Sequence, residues 1–156
     1  MAKMVDFQYS SKVEIDNRIF FRLYQCANMM HKTGARALEA EGVTTQQWAV
    51  LGALSRPQAE SGMSVGELAT FLLVSRQNLS GVVARLEGSG YVERVQDQSD
   101  GRARSVYLTV AGKALWRRIT PVIHGYYGDA LDGFGFDDRV DLLHHLNALL
   151  GNMKEL

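Results

Sequence analysis

Cysteine is almost absent from this sequence of 156 residues: Cys26 stands alone, which excludes an internal disulfide framework and predicts a reducing, cytoplasmic setting. Proline is nearly as scarce, with only Pro57 and Pro121, so long stretches are free to run as helix. No apolar run approaches the roughly 18–20 residues that span a bilayer. The opening MAKMVDFQYSSK lacks the apolar core of a secretory signal, so neither membrane insertion nor export is expected. Net charge is also missing, 17 basic side chains being matched by 17 acidic ones. The balance is global and not local: Val74 to Lys113 holds six basic and four acidic residues, whereas Ala114 onward holds four and six, a small asymmetry of the sign a DNA-binding segment needs. No nucleophile–base pair, P-loop or dinucleotide fingerprint occurs, so neither an enzyme nor a cofactor is expected. His31 and His124 stand alone, and the adjacent His144 and His145 would point about 100° apart on a helix, so no metal site is expected.

What is present is apolar and periodic. At 46% hydrophobic residues the chain is long enough for one compact domain with a core. Residues 1–11 show no period and read as an arm. From about Lys12 to Glu41, Ile15, Ile19, Leu23, Cys26, Ala27, Met30, Ala37 and Leu38 keep helical spacing, with Gly42 as the stop. So long an apolar stripe predicts packing against a second subunit as well as a core. Thr44-Thr45-Gln46-Gln47 has the pattern of a capping box and opens a second helix with Trp48, Leu51 and Leu54, closed by Pro57. Met63 reads as a short strand beside a later hairpin. Ser64-Val65-Gly66-Glu67 is a second capping box, opening a helix through Leu68, Ala69, Phe71 and Leu72.

Only Leu73-Val74 separates that helix from the next, which Ser75 is suited to cap. Leu79, Val82, Val83 and Leu86 form its apolar stripe, and Gly88-Ser89-Gly90 breaks it. Its other face, Arg76, Gln77, Asn78, Ser80, Gly81 and Arg85, carries no carboxylate. Arg, Gln and Asn are the side chains whose donors and acceptors match base edges in a major groove. Two β-type runs, Tyr91–Val95 and Arg104–Leu108, then flank a polar loop containing Asp100 and Arg102. A helix-turn-helix followed by a hairpin with an arginine at its tip reads as a winged helix, with double-stranded DNA as the partner. Thr109 caps a fifth helix holding Leu115, Ile119 and Ile123, with Pro121 expected to kink it. After Gly133-Phe134-Gly135, Asp137 is the expected cap of a last helix whose stripe is Val140, Leu143, Leu146, Leu149, Leu150 and Met153.

The segment Asp100-Gly101-Arg102-Ala103-Arg104-Ser105-Val106-Tyr107-Leu108-Thr109 with Gly112, preceded by Leu86-Glu87-Gly88-Ser89-Gly90-Tyr91-Val92-Glu93-Arg94, resembles the MarR (multiple-antibiotic-resistance regulator) family over nearly the whole chain. Gly101 departs from it, many members carrying arginine there. The resemblance implies a mainly α fold with a small β-wing. A winged helix-turn-helix lobe at 44–108 would join a dimerisation platform at 12–41 and 109–156. It further implies a homodimer on a pseudo-palindromic operator, acting as a repressor that is released by a small molecule, an aromatic carboxylate or its CoA thioester. The candidate DNA contacts are Ser75, Arg76, Gln77, Asn78, Ser80 and Arg85 on the helix. On the wing, Arg94 and Arg104 are candidates for phosphates, and Asp100 would orient Arg102 into a narrow minor groove. Phe20, Arg22, Tyr24, His31 and Trp48 are the candidate effector contacts, as aromatic walls with a cation for an acid. Cys26 reads first as a small core hydrophobe. The rival functions are a redox-gated regulator using Cys26 and a DNA-binding or protein-interaction module with no effector site.

Overall fold

Three capping side chains decide where the short helices begin. In the computed structural model, which describes residues 2–96 and 104–156, Thr44 accepts from the Gln47 N–H while Gln47 returns the bond, starting α2 (Thr45–Leu54). Ser64 and Glu67 do the same for α3 (Val65–Leu72). Ser75 accepts from the Asn78 N–H and starts α4 (Arg76–Gly88). Each cap satisfies donors that a helix start leaves orphaned.

The first helix, α1, runs Ala2–Leu38, so from Ala2 onward the expected arm is part of this helix. That segment holds neither Gly nor Pro, and extending an existing helix costs far less than nucleating one. A 3₁₀ turn, Glu39–Glu41, follows and ends at Gly42 in the left-handed region at φ 65°. Arg118 Nε reaches Glu41 Oε2 at 2.6 Å, tying this turn to the fifth helix. That hydrogen bond raises the arginine above its ordinary pKa.

The strands β1 (Met63–Ser64), β2 (Val92–Gln96) and β3 (Arg104–Leu108) form an antiparallel sheet in the order β1-β3-β2. Met63 pairs with Val106, while Val92 pairs with Leu108 and Arg94 with Val106. This register turns Val92, Arg94 and Val106 to one face, because side chains alternate along a strand. Val92 and Val106 are buried there. They join α4's stripe, Leu79, Val82, Val83 and Leu86, together with Val50, Leu51, Leu68, Leu115 and Ile119 in one core. Fully burying each large apolar side chain is worth roughly 1.5–3 kcal/mol.

The fifth helix, α5, spans Val110–Ala130 and runs through Pro121. Thr109 seats its start: its N–H donates to Tyr91 O at 3.1 Å, its hydroxyl donates to Gly90 O at 2.6 Å, and that hydroxyl accepts from the Gly112 N–H at 3.0 Å. The last helix, α6, spans Phe136–Lys154, and its N-cap is Gly135, not the expected Asp137. The Gly135 N–H donates to Asp138 Oδ2 at 2.8 Å, which leaves Asp137 inside the first turn, where a carboxylate also suits the helix dipole. Contacts divide the chain into two compact units, Met1–Ile123 and His124–Leu156. Among the described residues no helix is long and apolar enough to cross a membrane.

Candidate nucleic-acid interface

Leu73 makes the turn between α3 and α4 tight. It adopts φ 56°, ψ 42°, left-handed for a residue with a side chain, and its N–H closes on Ala69 O. Such a conformation costs of order 1–2 kcal/mol and persists where the surroundings demand it. Here it lets α4 start with Val74 bonded to Ala69 O at 3.1 Å. With the apolar stripe buried, Ser75, Arg76, Gln77, Asn78 and Arg85 are exposed and Ser80 is half-buried. The expected helix residues therefore share the solvent side of α4, and the first turn presents donors with no carboxylate among them.

Arg76 does not project unsupported. Its guanidinium lies against Gly66 in the first turn of α3, in space that any Cβ at position 66 would occupy. The sequence reading missed Gly66, whose role depends on a neighbouring helix. Arg94 also differs from expectation. Its Nε lies 2.8 Å from Glu87 Oε2 at the end of α4, with 27% of the side chain exposed. The contact is one of charge and not an aligned hydrogen bond, since that buried N–H meets no acceptor in line. Its inward strand position places it beside Glu87, so Arg94 braces the wing against α4. Arg104 is exposed and opposes Gln96 at the outer end of the β2–β3 pair. Asp100 and Arg102 lie outside the described residues.

The five expected effector residues are spread along α1 and α2. Phe20 and Tyr24 are 52% and 70% exposed and, with Asn17 and Phe21, line a shallow depression of about 330 Å³. Arg22, two residues from each, is turned to another side of the helix and donates to Gln25 Oε1 at 2.7 Å. His31 Nδ1 meets Thr45 Oγ1 at 3.0 Å, joining α1 to the start of α2. Tyr24 and His31 are separated by about 10 Å along the helix axis. Trp48 packs, half-buried, against the core. Cys26 is exposed and not in the core, because most of the α1 stripe is left uncovered by its own chain.

A profile of the MarR family matches residues 41–103. The Transcriptional activatory protein BadR of Rhodopseudomonas palustris is 56% identical over 147 residues, covering 94% of this chain and 84% of that protein. Among solved structures, a MarR/EmrR family transcriptional regulator from Acinetobacter sp. ADP1 superposes with TM-score 0.82 at 21% identity, covering 91% of this chain and 99% of that one. The S. aureus MepR–DNA complex superposes with TM-score 0.74 at 19% identity, over 84% of this chain and 93% of that one. These last two show a shared fold.

Proposed function

The chain belongs to the MarR family of DNA-binding transcriptional regulators, and on that premise we propose that two copies grip one pseudo-palindromic operator and alter their hold on it when a small aromatic carboxylate or its CoA thioester binds. It is a regulator and not an enzyme. The observation that carries the DNA reading is the capped α4, with one face sealed in the core and the other offering Arg76, Gln77 and Asn78 from its first turn. That turn is the part of a recognition helix that meets base edges. Arg104, with Arg102 at the wing, would hold the backbone and the flanking minor groove.

Gln77→Ala and Asn78→Ala are each expected to relax base preference at particular operator positions by about 1–3 kcal/mol, read by fluorescence anisotropy on a panel of duplexes. Arg102→Ala should weaken binding most on sites with A·T-rich flanks. Gly66→Ala should displace Arg76 while leaving the melting temperature nearly unchanged, because the clash is with the end of a flexible side chain. Its operator affinity should fall several-fold, to about the level of Arg76→Ala. An affinity equal to wild type would remove Arg76 from the interface.

For the effector, the proposed contacts are Phe20 and Tyr24 with His31 and Trp48. The spacing of Tyr24 from His31 suits a ring carrying an extended arm better than a compact acid. A ligand shifts DNA occupancy only through its differential affinity for the two states, and about 100-fold preference supplies about 2.7 kcal/mol. Titration of aromatic acids and their CoA thioesters into the protein–operator complex tests this. If none changes DNA affinity, the effector proposal fails and the module without an effector site stands. The proposed sign of regulation is repression relieved by ligand. A second reading, activation, is favoured by the name of the R. palustris relative. In vitro transcription from the operator-bearing promoter separates them: added protein lowers transcript yield in the first and raises it in the second.

A further inference from the structure

The turn that joins α3 to α4 carries a side chain that the fold alone does not explain. Among the described residues Leu73 is the only non-glycine position with a positive φ, a conformation that glycine or asparagine adopts at less cost. Strain of this kind persists where the surroundings fix the residue. Leu73 is instead 54% exposed, whereas Leu68 and Leu79, on either side of the turn, are sealed in the core. The bond from its N–H to Ala69 O uses the backbone and needs no side chain.

Its apolar neighbours have local reasons to be where they are. Phe71 lies under the Arg56 guanidinium, 3.5 Å from the ring centroid. Val74 stands just before the Ser75 cap and five residues before Leu79, the two places of a hydrophobic staple at a helix start. Leu73 occupies neither kind of place.

What it does occupy is the approach to the helix turn that meets DNA. Two peptide units separate Leu73 from Ser75, at most about 7 Å of chain, and Arg76, Gln77 and Asn78 follow directly in the first turn of α4. Successive base pairs are about 3.4 Å apart, so Leu73 comes within about two base-pair steps of the bases that this turn reaches. The surroundings suit a polyanion. No carboxylate occurs from Thr70 to Leu86, and Arg76 and Arg85 are exposed on the same segment. The major groove offers one apolar group, the thymine 5-methyl, and an aliphatic side chain is what recognises it. Leu73, with the exposed part of Val74 beside it, extends the polar face of α4 with a patch of that chemistry.

We propose that Leu73 is a specificity-determining residue of the operator contact, its side chain packing on a thymine 5-methyl group at the edge of each half-site. The proposal rests on the DNA reading of α4 and adds to its polar contacts an apolar one from the preceding turn. The strain that the turn bears in the free protein is offset by a contact made only on DNA.

The test uses a duplex selected from a random library by the full-length protein. Each thymine of that duplex is then replaced singly by deoxyuridine, which removes the methyl group and nothing else. By fluorescence anisotropy, wild type is expected to show one thymine per half-site whose replacement weakens binding about fourfold, the worth of burying one methylene-sized group. Leu73→Gly should weaken binding to the unsubstituted duplex by at least as much. It should also bind the thymine and deoxyuridine duplexes within about 1.5-fold of one another, because removing one partner of a contact makes loss of the other nearly neutral. It should melt no lower than wild type, since glycine takes a positive φ without strain. Leu73→Met, which keeps an apolar side chain, should retain the discrimination. A residue that merely shaped the turn would weaken both duplexes equally and leave the fourfold difference intact. That result, or a wild type indifferent to every deoxyuridine replacement, overturns the proposal, leaves the DNA reading standing and assigns the exposed turn to a protein partner. Failure to select any duplex would overturn the DNA reading, and this proposal with it.

Discussion

Gly112→Ala is expected to lower the free energy of unfolding by about 2–3 kcal/mol, measured by urea denaturation at fixed protein concentration. The reason is a backbone contact. Gly112 is buried in the first turn of α5, and a Cβ there would run into the Tyr91 carbonyl oxygen and crowd a Leu108 methyl. The obstacle cannot rotate away. Tyr91 O already accepts from the Thr109 N–H, and Thr109 bonds both Gly90 and Gly112 through its hydroxyl. Moving α5 outward would therefore break the two hydrogen bonds from Thr109 to Tyr91 O and Gly90 O that tie α5 to the junction of α4 and the wing. Alanine's better helix propensity offsets only about 1 kcal/mol of this. Gly81→Ala is the control. Nothing lies within 4 Å of its Cβ position, so it should stabilise the protein by about 0.5–1 kcal/mol. If Gly112→Ala is as stable as wild type, the junction is looser than described.

The paired substitution Leu143→Asp with Leu150→Asp is expected to convert the proposed dimer to monomers at micromolar concentration and to weaken operator binding at least about 100-fold. Val140, Leu143, Leu146, Leu150 and Met153 are 49%, 60%, 40%, 40% and 48% exposed on α6. A contiguous apolar stripe of this kind marks an interaction surface. In a two-fold dimer each substitution acts twice, and each carboxylate taken out of water would carry a desolvation penalty. Loss of the dimer removes the linkage between two half-sites, so each winged lobe would bind alone. Light scattering, with circular dichroism to verify helix content, gives the result directly. A variant that stays dimeric would show that α6 is not the interface.

Local structure was readable because its causes are local. The Thr44–Gln47, Ser64–Glu67 and Ser75–Asn78 contacts each lie three residues apart, and the spacing of Leu79, Val82, Val83 and Leu86 alone determined which face of α4 would be buried. The mainly α fold with a small β-wing followed, along with the polar face of the helix proposed to read DNA. Where local signals were weak, boundaries moved: nothing in residues 1–11 names a helix, and the carboxylate that closes on the α6 start is Asp138 and not Asp137. Tertiary structure alone decided the rest. Glu87 draws Arg94 inward because strand register sets which side of β2 faces α4. Gly66 matters because Arg76 from another helix lies on it, and Gly112 because the Tyr91 carbonyl does. Gly52 matters because the Trp116 ring, some sixty positions later on α5, lies against it. No helical or strand period encodes such contacts, because they depend on how finished elements pack.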